Sequence, residues 1–177
     1  KTVQGGAGMN KILIAVDETS GSKAVLSVFN NLVRPPEEVL LLHVIRLEGK
    51  SLMIDMLSEA ELSTLKESLK GTEYKETLEK KAETVLNYFK KELESSGLIS
   101  VRTIIREGIP GDEILKVAEE ENVDLIIVGD NGKRGLVRLI TGCVSKEVEK
   151  NATVPVLVGK SDANAKKYGV KEAAAAV

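Results

Sequence analysis

Short, continuously apolar runs alternate along this chain with longer stretches in which apolar residues recur every three or four positions. Lys11-Ile-Leu-Ile-Ala-Val16 is the first such run and is closed by Asp17. Ala24, Val25, Val28 and Leu32 then fall at helical spacing within Ser22 to Leu32, so strand, turn and helix are expected in that order. Arg34-Pro35-Pro36 breaks the helix, and Val39-Leu-Leu-Leu-His-Val-Ile45 predicts a second strand. Two charged, leucine-spaced segments follow, Ser51 to Lys70 and Glu73 to Ser95, parted by Gly71. Leu78, Ala82, Val85, Leu86, Phe89 and Leu93 make one apolar stripe on the second, which predicts a helix; the first is expected to be helical inside a long crossover. Gly97 ends the long helix, Ser100 to Arg106 predicts a third strand, and Gly108-Ile-Pro-Gly111 leads into a helix carrying Ile114, Leu115, Val117 and Ala118. Val123 to Val128 predicts a fourth strand, Val144 to Lys150 a short amphipathic helix, and Val154-Pro-Val-Leu-Val158 a fifth strand.

Strands that are apolar throughout and alternate with helices fit a parallel sheet covered on both faces, its strands joined by right-handed crossovers. Ligands of such sheets sit at the carboxyl ends of the strands, where the strand order reverses. Asp17, Val44 and Gly129 all end predicted strands and are expected to converge on one crevice. Pro155 cannot donate to a ladder, which places the fifth strand at an edge. An edge made of Val154, Val156, Leu157 and Val158 invites pairing with a second copy, so a homodimer through Val154 to Val158 is expected.

The chemistry concentrates in Gly129-Asp-Asn-Gly132, followed after nine residues by Gly142-Cys143-Val144-Ser145. Glycines between a strand and a helix let backbone N–H groups close on a phosphate, and Gly142 and Cys143 fall at a helix N-terminus, where unpaired donors and the helix dipole favour an anion. Two plainer readings stand beside this one. The glycines could serve tight-turn geometry alone, and Asp17 could be the N-cap of the next helix. His43, the single histidine, falls on the strand face opposite Val44, where a hydrogen-bonded core imidazole is expected; with no Ser-His-acid set and no carboxylate cluster of metal-ligand spacing, the sequence names no catalytic residue and no metal ligand.

Composition narrows the partners. Twenty-five Lys and Arg against 27 Asp and Glu give no clustered basic face, which argues against nucleic acid. A single cysteine allows no disulfide framework and fits a reducing compartment, and no apolar run approaches the roughly 20 residues that span a bilayer. A cytoplasmic protein with no membrane partner is expected. Its 177 residues suit one domain, over 9–160, with Lys1 to Gly8 a flexible extension or expression remnant and residues 161–177 a mobile tail.

Taken together, Ile12-Leu-Ile-Ala-Val-Asp17, Leu42-His-Val44, Gly108-Ile-Pro, Asp124-Leu-Ile-Ile-Val-Gly129, the Gly-x2-Gly-x9-Gly spacing and Pro155-Val-Leu-Val resemble the universal stress protein family from Met9 to Lys160. The resemblance implies an adenine-nucleotide α-hydrolase-like, Rossmann-like α/β fold: a five-stranded parallel sheet sandwiched between helices, in strand order 3-2-1-4-5. It also implies membership of the subset that binds ATP. Carried over residue by residue, Ala15 and Asp17 belong to the adenine and ribose pocket, and Val44 gives its backbone to the adenine edge. Val128 and Gly129 pass the ribose and first phosphate, Gly132 turns beneath the phosphates, and Gly142, Cys143, Val144 and Ser145 donate to them. Cys143 departs from the family, which has Ser or Thr there; a thiol is a weak donor, so one hydrogen bond worth about 1 kcal/mol is expected to be lost. A small replacement for serine is the favoured reading of Cys143 over a redox-sensitive thiol at a helix N-terminus. Lys133, Arg134 and Arg138 could neutralise phosphate but read equally well as solvated loop charges.

The function so implied is a nucleotide-binding stress or regulatory protein that uses ATP or AMP as a signal, with Mg2+ accompanying the phosphates. Two alternatives stay open: a slow Mg-dependent ATPase completed by a partner, and a protein-interaction module with an empty pocket that docks through the helix of Glu73 to Ser95.

Overall fold

The computed structural model describes residues 10–46, 58, 60–61, 63–64, 67, 71–95, 97, 100–130 and 143–160. Within them β1 (Lys11–Ala15), α1 (Ser20–Leu32), β2 (Glu38–Ile45), α2 (Glu73–Ser95), β3 (Ser100–Glu107), α3 (Pro110–Glu120), β4 (Leu125–Asp130), α4 (Val144–Asn151) and β5 (Val156–Lys160) follow in that order. Every strand pairing is parallel and the sheet order is β3-β2-β1-β4-β5. This is the five-stranded arrangement, helices on both faces, that the family resemblance implies. The chain steps one way from β1 to β3 and the other way from β4 to β5, so the order reverses between β1 and β4.

The apolar runs are continuous because both faces of the central strands are covered. Ile12, Ile14, Val39, Leu41, Leu125 and Ile127 meet Val25 and Phe29 of α1 and Leu86, Phe89 and Leu93 of α2 on one face. Leu13, Leu40, Leu42, Ile126 and Val128 meet Ile114 and Val117 of α3 and Val148 of α4 on the other. Each large aliphatic residue so removed from water contributes about 1.5–3 kcal/mol, which is why these strands tolerate no polar interruption before their carboxyl ends. The edge strand β3 behaves differently: Arg102, Thr103 and Ile105 are exposed. Its charged and polar positions blunt an edge that would otherwise template pairing.

Element bounds shift slightly from the pattern. The apolar run of β4 starts two residues before its ladder, and β5 begins at Val156, after Pro155. The proline stands where a missing N–H costs nothing, while its carbonyl accepts from the Ile126 N–H at 3.0 Å. β5 is an edge strand, as the proline suggested. Most of the segment from Ser51 to Lys70 lies outside the described residues, as do Lys1 to Met9 and residues 161–177. At Ser58, however, the hydroxyl donates to Glu61 Oε2 at 2.7 Å and the backbone N–H donates to the same oxygen at 2.8 Å. That is a capping box, and Ala60 and Glu61 are helical. No helix among the described residues is long and apolar enough to cross a membrane.

At the amino ends of the strands, Arg102 reaches Glu121 through Nη1 and Nη2 at 3.0 and 2.6 Å and Glu38 through Nε at 3.1 Å, and Lys11 lies 3.6 Å from both carboxylates. The hydrogen bonds from Arg102 hold the Glu121 carboxyl below the ordinary glutamate range. A carboxylate with a depressed folded-state pKa stabilises the fold above its unfolded value, about pH 4.3, and gives that stability up as pH falls through the folded value. Glu121→Gln is therefore expected to melt below the wild type at pH 7, with the gap closing as both are titrated below about pH 4. Thermal melts across that range check it; a gap that does not change with pH would contradict the pairing.

Candidate functional site

The register of the sheet sets the site. Ala15 of β1 stands opposite Leu42 of β2 on one side and Val128 of β4 on the other, so Asp17, Val44 and Gly129 emerge from neighbouring strand ends. Between these ends, the first turn of α4 and the second and third turns of α2 lies a cavity of about 340 Å3, within the size range of small-molecule sites, roughly 300–1,000 Å3. Eight residues singled out from the sequence border it: Ala15, Asp17, Val44, Val128, Gly129, Cys143, Val144 and Ser145. Gly132 and Gly142 lie outside the described residues, with Lys133, Arg134 and Arg138.

Asp17 is committed to its own turn through one oxygen. Oδ1 accepts from the Thr19 backbone N–H at 2.9 Å, the Thr19 hydroxyl at 2.5 Å and the Ser22 hydroxyl at 2.6 Å, while the Asp17 N–H donates to Ser22 Oγ at 2.8 Å. The N-cap of α1 is Thr19, so the expectation that Asp17 might be the cap is replaced by an Asx turn two residues earlier. Among the described residues all three accepted bonds fall on Oδ1, which leaves Oδ2 as the oxygen a ligand hydroxyl can reach.

Gly129 is glycine for want of space. Its φ is not in the left-handed region, but a Cβ there would lie 2.8 Å from the Ser22 backbone nitrogen and nearer still to the Gly21 carbonyl. Gly159, its register partner on β5, meets Ala24 and Val25 backbone in the same way at 2.9 Å. The two glycines form a flat seat on which the start of α1 rests, next to the Asp17 turn that borders the cavity.

Cys143 is the N-cap of α4, with extended backbone and no side-chain capping hydrogen bond. The first intrahelical bond runs from the Glu147 N–H to the Cys143 carbonyl at 3.0 Å. The N–H groups of Val144, Ser145 and Lys146 precede it and have no acceptor within the helix. Ser145 is buried, and its hydroxyl lies 3.1 Å from the Cys143 sulfur. Gly111, at the start of α3, makes room for the Glu147 carboxylate, which sits at that helix N-terminus. A negative side chain there meets the positive end of α3, so α4 is the better placed of the two to receive an anion.

His43 is buried with Nδ1 3.0 Å from the Val16 carbonyl oxygen. A carbonyl can only accept, so Nδ1 carries the proton and the ring bridges β2 to the end of β1, as a core imidazole should. It also borders the cavity, as do Thr19, Ser22, Arg46, Leu78 and Lys81. Thr19 and Ser22 could have been found from the polar cluster after Asp17. Leu78 and Lys81 carry no such signal, since a long crossover separates them from the strand ends they face. Among the described residues no group of three His, Cys, Asp or Glu could hold a metal ion.

The family model of universal stress proteins matches residues 8–160. The chain belongs to the universal stress protein family. It is 40% identical over 127 residues to universal stress protein MJ0577 of Methanocaldococcus jannaschii, covering 70% of this chain and 77% of that one. It is 30% identical over 150 residues to universal stress protein YxiE of Bacillus subtilis, covering 84% and 97%. The solved structure of MJ0577 superimposes with a TM-score of 0.64 at 35% identity, over 87% of this universal stress protein and 97% of MJ0577. An Arabidopsis thaliana family member solved with AMP bound shares the fold, at a TM-score of 0.58 and 22% identity over 88% and 94% of the two chains.

Proposed function

We propose that this universal stress protein binds an adenine nucleotide, ATP or AMP, in the strand-end cavity and uses it as a signal. The observation that carries the reading is the meeting, in one cavity, of the Val44 strand end, Asp17 with Oδ2 open to a ligand, and the N–H groups at the start of α4. The base would lie against Ala15 and the Val44 backbone, the ribose against Asp17 and Val128, and the phosphates beside Gly129 and the turn of Gly142, Cys143, Val144 and Ser145, with Gly132 beneath them. The fold holds AMP in the Arabidopsis protein. Any Mg2+ would be held chiefly by the phosphates themselves. Asp17 and His43, the groups closest in kind to a general base, already hold turn and strand together, which favours binding over hydrolysis.

Mass spectrometry of the supernatant from heat-denatured protein, with calorimetry using AMP and ATP, tests the reading. A co-released adenine nucleotide or a measurable heat of binding supports it. Neither result, with the protein folded, would refute it and favour a protein-interaction role. In this reading Cys143 replaces a hydroxyl donor, so Cys143→Ser is expected to tighten nucleotide binding by up to about fivefold, the worth of one neutral hydrogen bond. Unchanged affinity in the same calorimetric titration would mean the side chain at this position makes no phosphate contact.

The half-buried Val156, Leu157 and Val158 on the β5 edge support pairing of two copies there, with Val154 and Pro155 at its start. Light scattering at micromolar protein should give twice the chain mass, and a monomer mass would refute the pairing.

A further inference from the structure

The wall of the cavity formed by α2 is anchored by packing only beyond the cavity. Buried positions on this helix begin at Ala82 and continue through Leu86, Phe89 and Leu93. Leu78 and Lys81, which border the cavity, belong to the part before them, where no residue is fully buried. That overhang is tied to the sheet at Lys75, whose Nζ lies 2.8 Å from Glu107 Oε1. The two side chains are 18% and 21% exposed, against 38% and 47% for the Lys90–Glu94 pair near the other end of the same helix. A pair this shielded is screened less by salt than an open surface pair. The hydrogen bond to Glu107 also raises the Lys75 pKa, so the ammonium stays charged.

Glu107 closes β3, and the next residue, Gly108, donates its N–H to the Ile45 carbonyl at 3.1 Å. The ion pair thus fastens α2 to the end of β3, which is held beside Ile45 of β2 at the border of the cavity. Lys75 and Leu78, three residues apart, share a helix face, so a restraint on one fixes the other. Glu79, 3.9 Å from Lys75 and on the same helix, offers the ammonium a second acceptor when it leaves Glu107. Opening therefore leaves no bare lysine behind.

We infer that Lys75 and Glu107 are positioning residues: their ion pair is a latch that holds Leu78 and Lys81 against the cavity, and its opening sets the rate at which nucleotide leaves. The ligand rests on the nucleotide reading above; the latch itself does not. The latch is tested in the full chain with Glu107→Gln and with the charge-swapped variant Lys75→Glu, Glu107→Lys, in which Glu79→Gln removes the like charge four residues on. Hydrogen–deuterium exchange without nucleotide is expected to quicken over residues 76–81 in Glu107→Gln, to stay unchanged over residues 86–95, and to return to the wild-type pattern in the swapped variant. Dissociation of a fluorescent AMP analogue is expected to speed about fivefold in Glu107→Gln and to recover in the swapped variant, with melting temperatures within about 2 °C of the wild type.

Exchange that does not change, or that rises along the whole helix, overturns the latch. Localised exchange with no change in dissociation overturns its control of release. If the wild type binds no AMP analogue, the nucleotide reading fails, and the exchange pattern alone upholds or overturns the latch.

Discussion

Gly129→Ala is expected to lower the melting temperature by about 6–12 °C, because the added methyl meets the backbone at the start of α1 and costs about 3 kcal/mol. A Cβ near the Gly21 carbonyl and 2.8 Å from the Ser22 nitrogen cannot be relieved by a rotamer change, since neither atom belongs to a side chain. Either α1 lifts from β4 or the strand bends. Both movements displace Ser22, whose hydroxyl joins the Asp17 backbone N–H to the Asp17 carboxylate. Nucleotide binding is therefore expected to fall with stability, even though alanine adds nothing that a phosphate would meet directly. A thermal melt followed by calorimetry below the new transition separates the two effects. A variant melting within about 2 °C of the wild type would show that the helix seat is looser than the packing requires.

Two substitutions at Asp17 should differ in kind. Alanine removes the acceptor of three hydrogen bonds, two of them from hydroxyls and all to an ionised oxygen, and is expected to cost about 2–4 kcal/mol and to abolish detectable nucleotide binding. Asparagine keeps an oxygen at the Oδ1 position, so the Thr19 and Ser22 bonds persist in weaker form. What it loses is the carboxylate Oδ2, the atom assigned to the ribose. Asp17→Asn should therefore retain most of the stability while weakening AMP binding by about tenfold, the loss of one charged hydrogen bond. Affinity that is unchanged in Asp17→Asn but lost in Asp17→Ala would make the residue a turn former alone, with no part in recognition.

These residues show how much of the molecule was open to reading in one dimension. The runs Ile12 to Val16, Val39 to Ile45 and Leu125 to Val128 are apolar at every position but His43, because helices cover both faces. Burial on two faces leaves a mark in the sequence that burial on one does not. The exposed edge β3, with Arg102 and Thr103 in its middle, has a weaker pattern for the same reason. The strand-end location of Asp17, Val44 and Gly129 also followed from the pattern, since a parallel sheet puts its carboxyl ends together, whereas Ala15 and Val128 were named through the family resemblance. A second demand on Gly129 did not follow. Beside the phosphate turn that its spacing suggested, its contacts make it a seat for α1, paired with Gly159, which drew no attention in the sequence.

The sequence alone determined the order of strands and helices, the parallel sheet, the edge placement of β5 and the strand ends that meet. Each of these depends on local periodicity or on a rule of chain connection. Only the tertiary structure decided what closes the cavity from the side of α2. Lys75, Leu78 and Lys81 read as ordinary positions of a charged amphipathic helix, and nothing near them in the chain marks Glu107 as a partner. That contact exists because α2 packs across β2 and β3 by its later turns, Ala82 to Leu93, and thereby carries its first turns out over the strand ends. Hydrophobic burial placed the helix, and its placement gave an otherwise unremarkable lysine a carboxylate to hold.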